Sequence, residues 1–186
     1  MRTDSTMDAG FLDHALGVAR CAAQAAAGVI RRYYRGAFEV RTKEDATPVT
    51  QADVECEQEI RAVLRAEFPE HAIFGEEGGR EGGGDFLWLV DPIDGTKSFV
   101  RGYPLFSTQI ALMHRGELLL GVSCAAEYGQ TAWARRGGGA YLDGEPLHVA
   151  RTDAIERATV STGNLKSLAR GARWSAFGDL LQQVSR

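Results

Sequence analysis

Asp91-Pro92-Ile93-Asp94-Gly95-Thr96 sets two carboxylates three residues apart, directly after the apolar run Phe86-Leu87-Trp88-Leu89-Val90. Where a strand gives way to a turn, side chains at that spacing can converge on one point. Pro92 has no backbone donor and cannot extend a ladder, which leaves the Ile93 carbonyl free to face the same point. Oxygen-only donors of this kind suit a hard cation such as Mg²⁺. Gly95 permits close backbone approach, and Thr96-Lys97-Ser98-Phe99 can open a helical turn whose N–H groups face an anion. Metal and phosphate would then share one pocket.

Bland readings stand beside this one. Asp94-Gly95 alone is an ordinary turn dipeptide. Thr50-x-x-Asp53 has the spacing of a helix capping box. Asp53 also lies on the same helical stripe as Cys56, Ile60 and Leu64, so its carboxylate needs a partner or an ion if that face is packed. Glu76 and Glu77 are adjacent, and adjacent residues seldom face the same way, so one of the two is expected at the site and the other beside it or in solvent. Lys43 is by itself an exposed loop lysine. Other aspartate chemistries fail on spacing. An EF-hand needs acidic residues at alternate positions and a later Glu, and the haloacid-dehalogenase pattern needs Asp-x-Asp-x-Thr. If Asp53, Glu76, Asp91 and Asp94 do gather, each pair about 4 Å apart repels by roughly 4 kcal/mol at an effective dielectric near 20. A divalent ion would relieve that repulsion.

The elements that must position these residues are legible in the periodicity. Leu12, Ala15, Leu16, Ala19, Ala22, Ala23, Ala26 and Ile30 recur at three- and four-residue steps. They predict one long helix from Asp8, its N-cap, to about Tyr34, with Gly36 as the stop. Phe38, Val40 and Thr42 predict a short strand, 43–48 a loop, and Thr50 to about Glu67 a second helix closed by Pro69. The glycine-rich stretch 75–84 predicts a mobile surface loop. It lacks the Gly-Lys-Ser/Thr ending of a P-loop. Phe86–Val90 predicts a fully buried strand. Phe106–Met113, Leu118–Cys124 and Thr131–Ala134 predict a meander, with turns at Arg115-Gly116-Glu117 and Asp143-Gly144. Val160 and its neighbours suggest another strand, and Ala176–Val184 a helix. Two helices followed by an antiparallel meander predict an α+β layered sandwich, an N-terminal helix pair packed on an antiparallel sheet.

The 186 residues carry Lys+Arg 21 against Asp+Glu 25, a net charge of -4. That balance argues against a nucleic-acid groove or an anionic membrane surface as partner. Hydrophobic residues at 44% and charged residues at 25% are globular values and argue against disorder. Cys21, Cys56 and Cys124 are scattered and odd in number. They predict reduced thiols in a cytoplasmic protein rather than a zinc site or disulfide framework. The Ala15–Ile30 stretch is broken by Arg20 and Gln24 and predicts neither a membrane helix nor a signal peptide.

Three segments in order, Val49-Thr50-Gln51-Ala52-Asp53, Phe74-Gly75-Glu76-Glu77 and Asp91-Pro92-Ile93-Asp94-Gly95-Thr96, resemble the inositol monophosphatase family of Mg²⁺-dependent phosphomonoesterases. The resemblance runs from about residue 8 to 165. It implies Glu76, Asp91, Asp94 and the Ile93 carbonyl as metal ligands. It also implies that Thr96 and Asp53 orient and deprotonate the attacking water, that the Gly95 and Thr96 amides hold phosphate, and that Lys43 sits in a loop over the site. Direct in-line hydrolysis, a small phosphorylated metabolite as substrate and a homodimer are further implications. Gly95-Thr96-Lys97-Ser98-Phe99 followed by Pro104-Leu105-Phe106 looks most like the histidinol-phosphatase branch. L-histidinol phosphate is thus the expected substrate and inositol monophosphate the alternative.

Family members are generally longer, and their second half adds an α/β layer with a Trp-Asp segment that completes a second metal site. Trp174 is followed here by Ser175. The expectation is therefore a metal- and phosphate-binding domain over 1–150 and the start of an incomplete α/β domain over 151–186. A form that binds a cation without turning over is the other alternative.

Overall fold

Small apolar side chains at helical spacing build the first element. In the computed structural model, which describes residues 8–36, 40–42, 48–163 and 165–185, helix α1 spans Ala9–Tyr33 and buries the whole predicted stripe from Leu12 to Ile30. Alanine has the highest helix propensity and lets a partner approach closely. Asp8 caps the helix, its Oδ1 accepting the Phe11 N–H at 2.7 Å. The stop differs from expectation. Tyr34 still donates to the Ile30 carbonyl, and the left-handed residue is Arg35 at φ 59°, not Gly36.

Strands β1 (Val40–Thr42) and β2 (Pro48–Thr50) form an antiparallel pair that delivers the chain into α2, Gln51–Glu67. The capping box is present in both directions: Thr50 Oγ1 accepts the Asp53 N–H, and the Asp53 carboxylate accepts the Thr50 N–H. Helix α2 buries Ala52, Asp53, Cys56, Glu57, Ile60, Arg61 and Leu64 on one stripe and packs against α1. The expected strand residue Phe38 lies outside the described residues, as does most of the expected 43–48 loop.

The helices lie on an eight-stranded sheet made of β3 (Ala72–Gly75), β4 (Gly79–Glu81), β5 (Phe86–Asp94), β6 (Ser107–His114), β7 (Glu117–Ala125), β8 (Gln130–Arg135), β9 (Gly139–Leu142) and β10 (Glu145–Pro146). Its order is β10-β9-β8-β7-β6-β5-β3-β4. All neighbours are antiparallel except β3 and β5, which run parallel. The reason is local. β4 folds back along the outer edge of β3, so the chain must return to the start of β3 before β5 can pair on its inner side. The expected mobile loop over 75–84 is thus partly a hairpin strand. Strand β5 is also not buried on both faces: Trp88 and Val90 are buried, whereas Leu87, Leu89 and Asp91 are half-buried. The turns at Arg115-Gly116 and Asp143-Gly144 have positive φ at both residues, as tight hairpins joining twisted strands require.

The core between helices and sheet centres on Trp88, Ile110, Leu112, Ile30, Ile60 and Leu64. Trp88 Nε1 donates to His71 Nδ1 at 3.2 Å, which satisfies the one polar atom of a fully buried indole.

The chain divides into two compact units, 1–147 and 148–186. The second holds a 3-10 turn at Ile155–Arg157 and helices α4 (Leu165–Arg170) and α5 (Trp174–Gln183), which contact each other. Val160 and its neighbours form no strand, and no ladder partner meets them among the described residues; the Ser185 N–H bonds the Ala158 carbonyl instead. Among the described residues no helix is long and apolar enough to cross a membrane.

Candidate active site

Strand β5 runs through Pro92 because its pairing with β6 slips there. Asp91 pairs with Gln109 and Asp94 with Ser107, with a bulge between. A bulge spares proline the ladder bond it cannot donate. The buried Thr108 hydroxyl donates to the Pro92 carbonyl at 2.9 Å and pins the bulge. Helix α3, Thr96–Val100, follows at once. Gly95 joins them at φ 100°, and a Cβ there would stand 2.7 Å from the Leu105 carbonyl. Only glycine fits that bend. The Ser98 and Phe99 N–H groups bond the Gly95 carbonyl, and the Gly95 and Thr96 N–H groups lie ahead of those helical bonds.

Asp53 reaches this turn from α2. It is 1% exposed. Its Oδ2 accepts from the Thr50 N–H at 2.7 Å and the Thr50 hydroxyl at 2.6 Å. Oδ1 lies 3.3 Å from Thr96 Oγ1, which is also 3.1 Å from the Ile93 carbonyl. One hydroxyl proton thus has two acceptors within reach. Burial pushes the Asp53 carboxyl above its ordinary range, and the bonds from Thr50 and Thr96 pull it part of the way back. The predicted pair Asp53 and Thr96 is therefore in contact, and the cap that starts α2 fixes where the carboxylate begins.

Asp91 forms the second group. Burial raises its pKa first, then the charge and hydrogen bond of Glu76 and the charge of Asp94, to about 7, against a smaller opposing contribution from the Ile93 amide. Glu76 is brought alongside because β3 pairs parallel with β5, Gly75 standing opposite Val90 and the Glu76 N–H bonding the Val90 carbonyl at 3.1 Å. Asp91 Oδ1 is buried and has no hydrogen-bond partner among the described residues. Glu76 and Asp94 are exposed. No three His, Cys, Asp or Glu side chains among the described residues close into a cage around one point. The donors on this corner are all oxygens, from three carboxylates and the Ile93 carbonyl, and one of them is buried without a proton donor. That set fits a hard divalent cation and no soft one. Beside Glu76 and Asp91 opens a hollow of about 760 Å³ on the sheet, lined in part by Leu89, Gln109, Ser123 and Trp133.

Lys43 lies outside the described residues. Two buried side chains were not foreseen. Glu57, one turn after Asp53, accepts the Glu77 N–H at 2.7 Å and the Gly78 N–H at 2.8 Å, and Arg61 Nε donates to it at 2.8 Å. The available signal was their place on the α2 stripe with Asp53, Ile60 and Leu64, where a carboxylate and a guanidinium four residues apart would be buried as a pair.

The model of the inositol monophosphatase family matches residues 12–174. A histidinol-phosphatase of Streptomyces coelicolor is 35% identical over 186 residues, which cover 95% of this chain and 70% of that protein. A fructose-1,6-bisphosphatase/inositol-1-monophosphatase of Thermotoga maritima is 41% identical over 116 residues, covering 62% of this chain and 45% of its own length. The crystal structure of the extragenic suppressor protein suhB from Bartonella henselae superposes with a TM-score of 0.87 at 27% identity, over 92% of this chain and 68% of that one. The chain spans between about a third and seven tenths of the length of the curated relatives it matches.

Proposed function

This chain belongs to the inositol monophosphatase family, and we propose that it is a Mg²⁺-dependent phosphomonoesterase whose substrate is L-histidinol phosphate. The observation that carries the reading is the contact of buried Asp53 with Thr96, five residues along the chain from Asp91, whose buried Oδ1 has no hydrogen-bond partner among the described residues. Glu76, Asp91, Asp94 and the Ile93 carbonyl would hold the cation. When bound, it supplies Lewis acidity toward a phosphoryl oxygen, a water acidified toward neutral pH and charge for the leaving alkoxide.

The residues of the chain do the rest. The Gly95 and Thr96 N–H groups fix phosphate oxygens ahead of α3. Thr96 Oγ1 accepts a hydrogen bond from the attacking water and turns its own proton toward Asp53 Oδ1. As the water oxygen bonds to phosphorus, its proton moves to the Thr96–Asp53 pair, the P–O ester bond breaks, and the ester oxygen leaves as an alkoxide that takes a proton from solvent water to become the alcohol. The raised affinity of buried Asp53 for a proton suits it to that task. Lys43 belongs to this proposal as part of a loop over the site. So do the cytoplasmic setting, the homodimer, and a second α/β domain that begins at about residue 151.

L-histidinol phosphate is favoured by the likeness to the Streptomyces histidinol-phosphatase, which extends over nearly the whole chain, and by the Gly95–Phe99 and Pro104–Phe106 segments. The second reading, inositol 1-phosphate, is favoured by the Thermotoga relative. Phosphate release from both substrates, with Mg²⁺ and with chelator, tests the proposal. Metal-dependent release, faster from L-histidinol phosphate, is expected. Equal release with chelator present would reject the metal chemistry, and faster release from inositol 1-phosphate would reject the substrate.

A further inference from the structure

Glu57 carries a charge that the chemistry above does not use. Its side chain is 3% exposed and that of Arg61 is 8% exposed. A buried ion pair is weak evidence of stability, because desolvation offsets most of the attraction. What this pair does have is a set of backbone bonds aimed at one turn. The Glu57 oxygens take the Glu77 and Gly78 N–H groups. Arg61, locked to Glu57 through Nε, reaches the Gly79 carbonyl with Nη2 at 2.6 Å and Glu81 with Nη1 at 3.3 Å. Donors and acceptor of the 76–79 turn are therefore both tied to α2. The space is reserved as well. A Cβ on Gly75 would overlap the Glu57 carboxylate, and one on Gly78 would stand 2.7 Å from its Oε1. Glu76 lies between those glycines.

We propose that Glu57, oriented by Arg61, is a positioning residue for Glu76, setting the turn that aims the Glu76 carboxylate at Asp91. The inference rests on Glu76 and Asp91 being cation ligands. Groups that orient a ligand from behind typically change metal affinity by about 10–100-fold when removed. Glu57→Gln keeps the shape but leaves one oxygen where two N–H donors and a guanidinium need acceptors.

The test is calorimetric titration of the 186-residue chain with Mn²⁺, a stand-in for Mg²⁺ with the same preference for oxygen ligands, alongside thermal melts. Glu57→Gln is expected to melt cooperatively and to bind Mn²⁺ at least about tenfold more weakly than the wild type. Leu120→Val, a core change on β7, which β6 and β5 separate from β3 in the sheet, should lower the melting temperature and keep the wild-type Kd, which separates aim from general loosening. If Glu57→Gln does not fold, Gly78→Ala crowds the same carboxylate while retaining its charge and is held to the same threshold. A folded Glu57→Gln with a Kd within about threefold of wild type, well short of the expected loss, overturns the inference and leaves the ligand reading standing. Wild-type protein that binds no Mn²⁺ overturns the ligand reading and this inference with it.

Discussion

Replacing Asp91 by asparagine should stabilise the cation-free protein at pH 8 and remove its cation binding together. Burial and the neighbouring carboxylates of Glu76 and Asp94 hold the Asp91 pKa at about 7, against an ordinary value of 3.8. A folded-state pKa above the unfolded one means that the folded protein binds the proton more tightly. The stabilisation this contributes is complete below about pH 4 and is lost as pH rises through about 7. Taken at face value the shift is worth about 4 kcal/mol. Asp91 is only half-buried, and solvent screening reduces this to about 1–2 kcal/mol. The asparagine side chain would be neutral throughout, could still accept from the Ile93 amide and could donate to Glu76. Because Asp91 Oδ1 has no hydrogen-bond partner among the described residues, none is lost at that atom. Urea melts in EDTA between about pH 3 and 8.5, a range that brackets both the unfolded and the folded titration, provide the assay. Near pH 3 the wild type and Asp91→Asn should agree to within a few tenths of a kcal/mol, and at pH 8 the variant should be ahead by about 1–2 kcal/mol. A variant that is less stable at pH 8, or that shows the wild-type pH slope, would refute the argument that uncompensated carboxylate charge burdens this corner.

Two further outcomes follow from the same geometry. Thr96→Val keeps the side-chain volume and removes the hydroxyl that links Asp53 to the Ile93 carbonyl. Turnover should fall by about 100-fold or more while the protein still melts cooperatively, with a loss of about 1–3 kcal/mol from the bond to buried Asp53, and a kcat within about threefold of wild type would remove Thr96 from the proton path. Gly95→Ala forces a side chain into φ 100° and against the Leu105 carbonyl. It should cost about 2–4 kcal/mol in a urea melt, whereas a loss under about 0.5 kcal/mol, on the order of an ordinary surface substitution, would mean that the bend tolerates a Cβ.

Local rules explain what could be read from the residues alone. The α1 stripe, the Asp8 cap, the Thr50–Asp53 box and the two hairpin turns each depend on side chains within four residues of one another, and each is where the spacing places it. The contact of Asp53 with Thr96 was reached through the family resemblance. Spacing alone made Asp53 a cap, and its second role needs a neighbour 43 residues away. The parallel pairing of β3 with β5 was invisible because nothing in either strand's pattern encodes a partner's direction. Glu57 is a similar case. Its place on the α2 stripe marks it as buried, but nothing within a few residues names the 76–79 turn whose N–H groups it accepts. Val160 failed the other way: an apolar residue in a short extended stretch looks like a strand, but a strand exists only with a ladder to join.

Asp53 and Glu57 leave α2 one turn apart, about 6 Å along its axis. One rod thus carries both the group that would take the water's proton and the group that braces the 76–79 turn. Sliding or tilting of α2 against the sheet would move the two in step, so their separation is set by helix pitch instead of by packing. Substitutions between α1 and α2 that nudge the rod would then alter how the pair meets β5 and α3 while leaving the spacing within the pair intact.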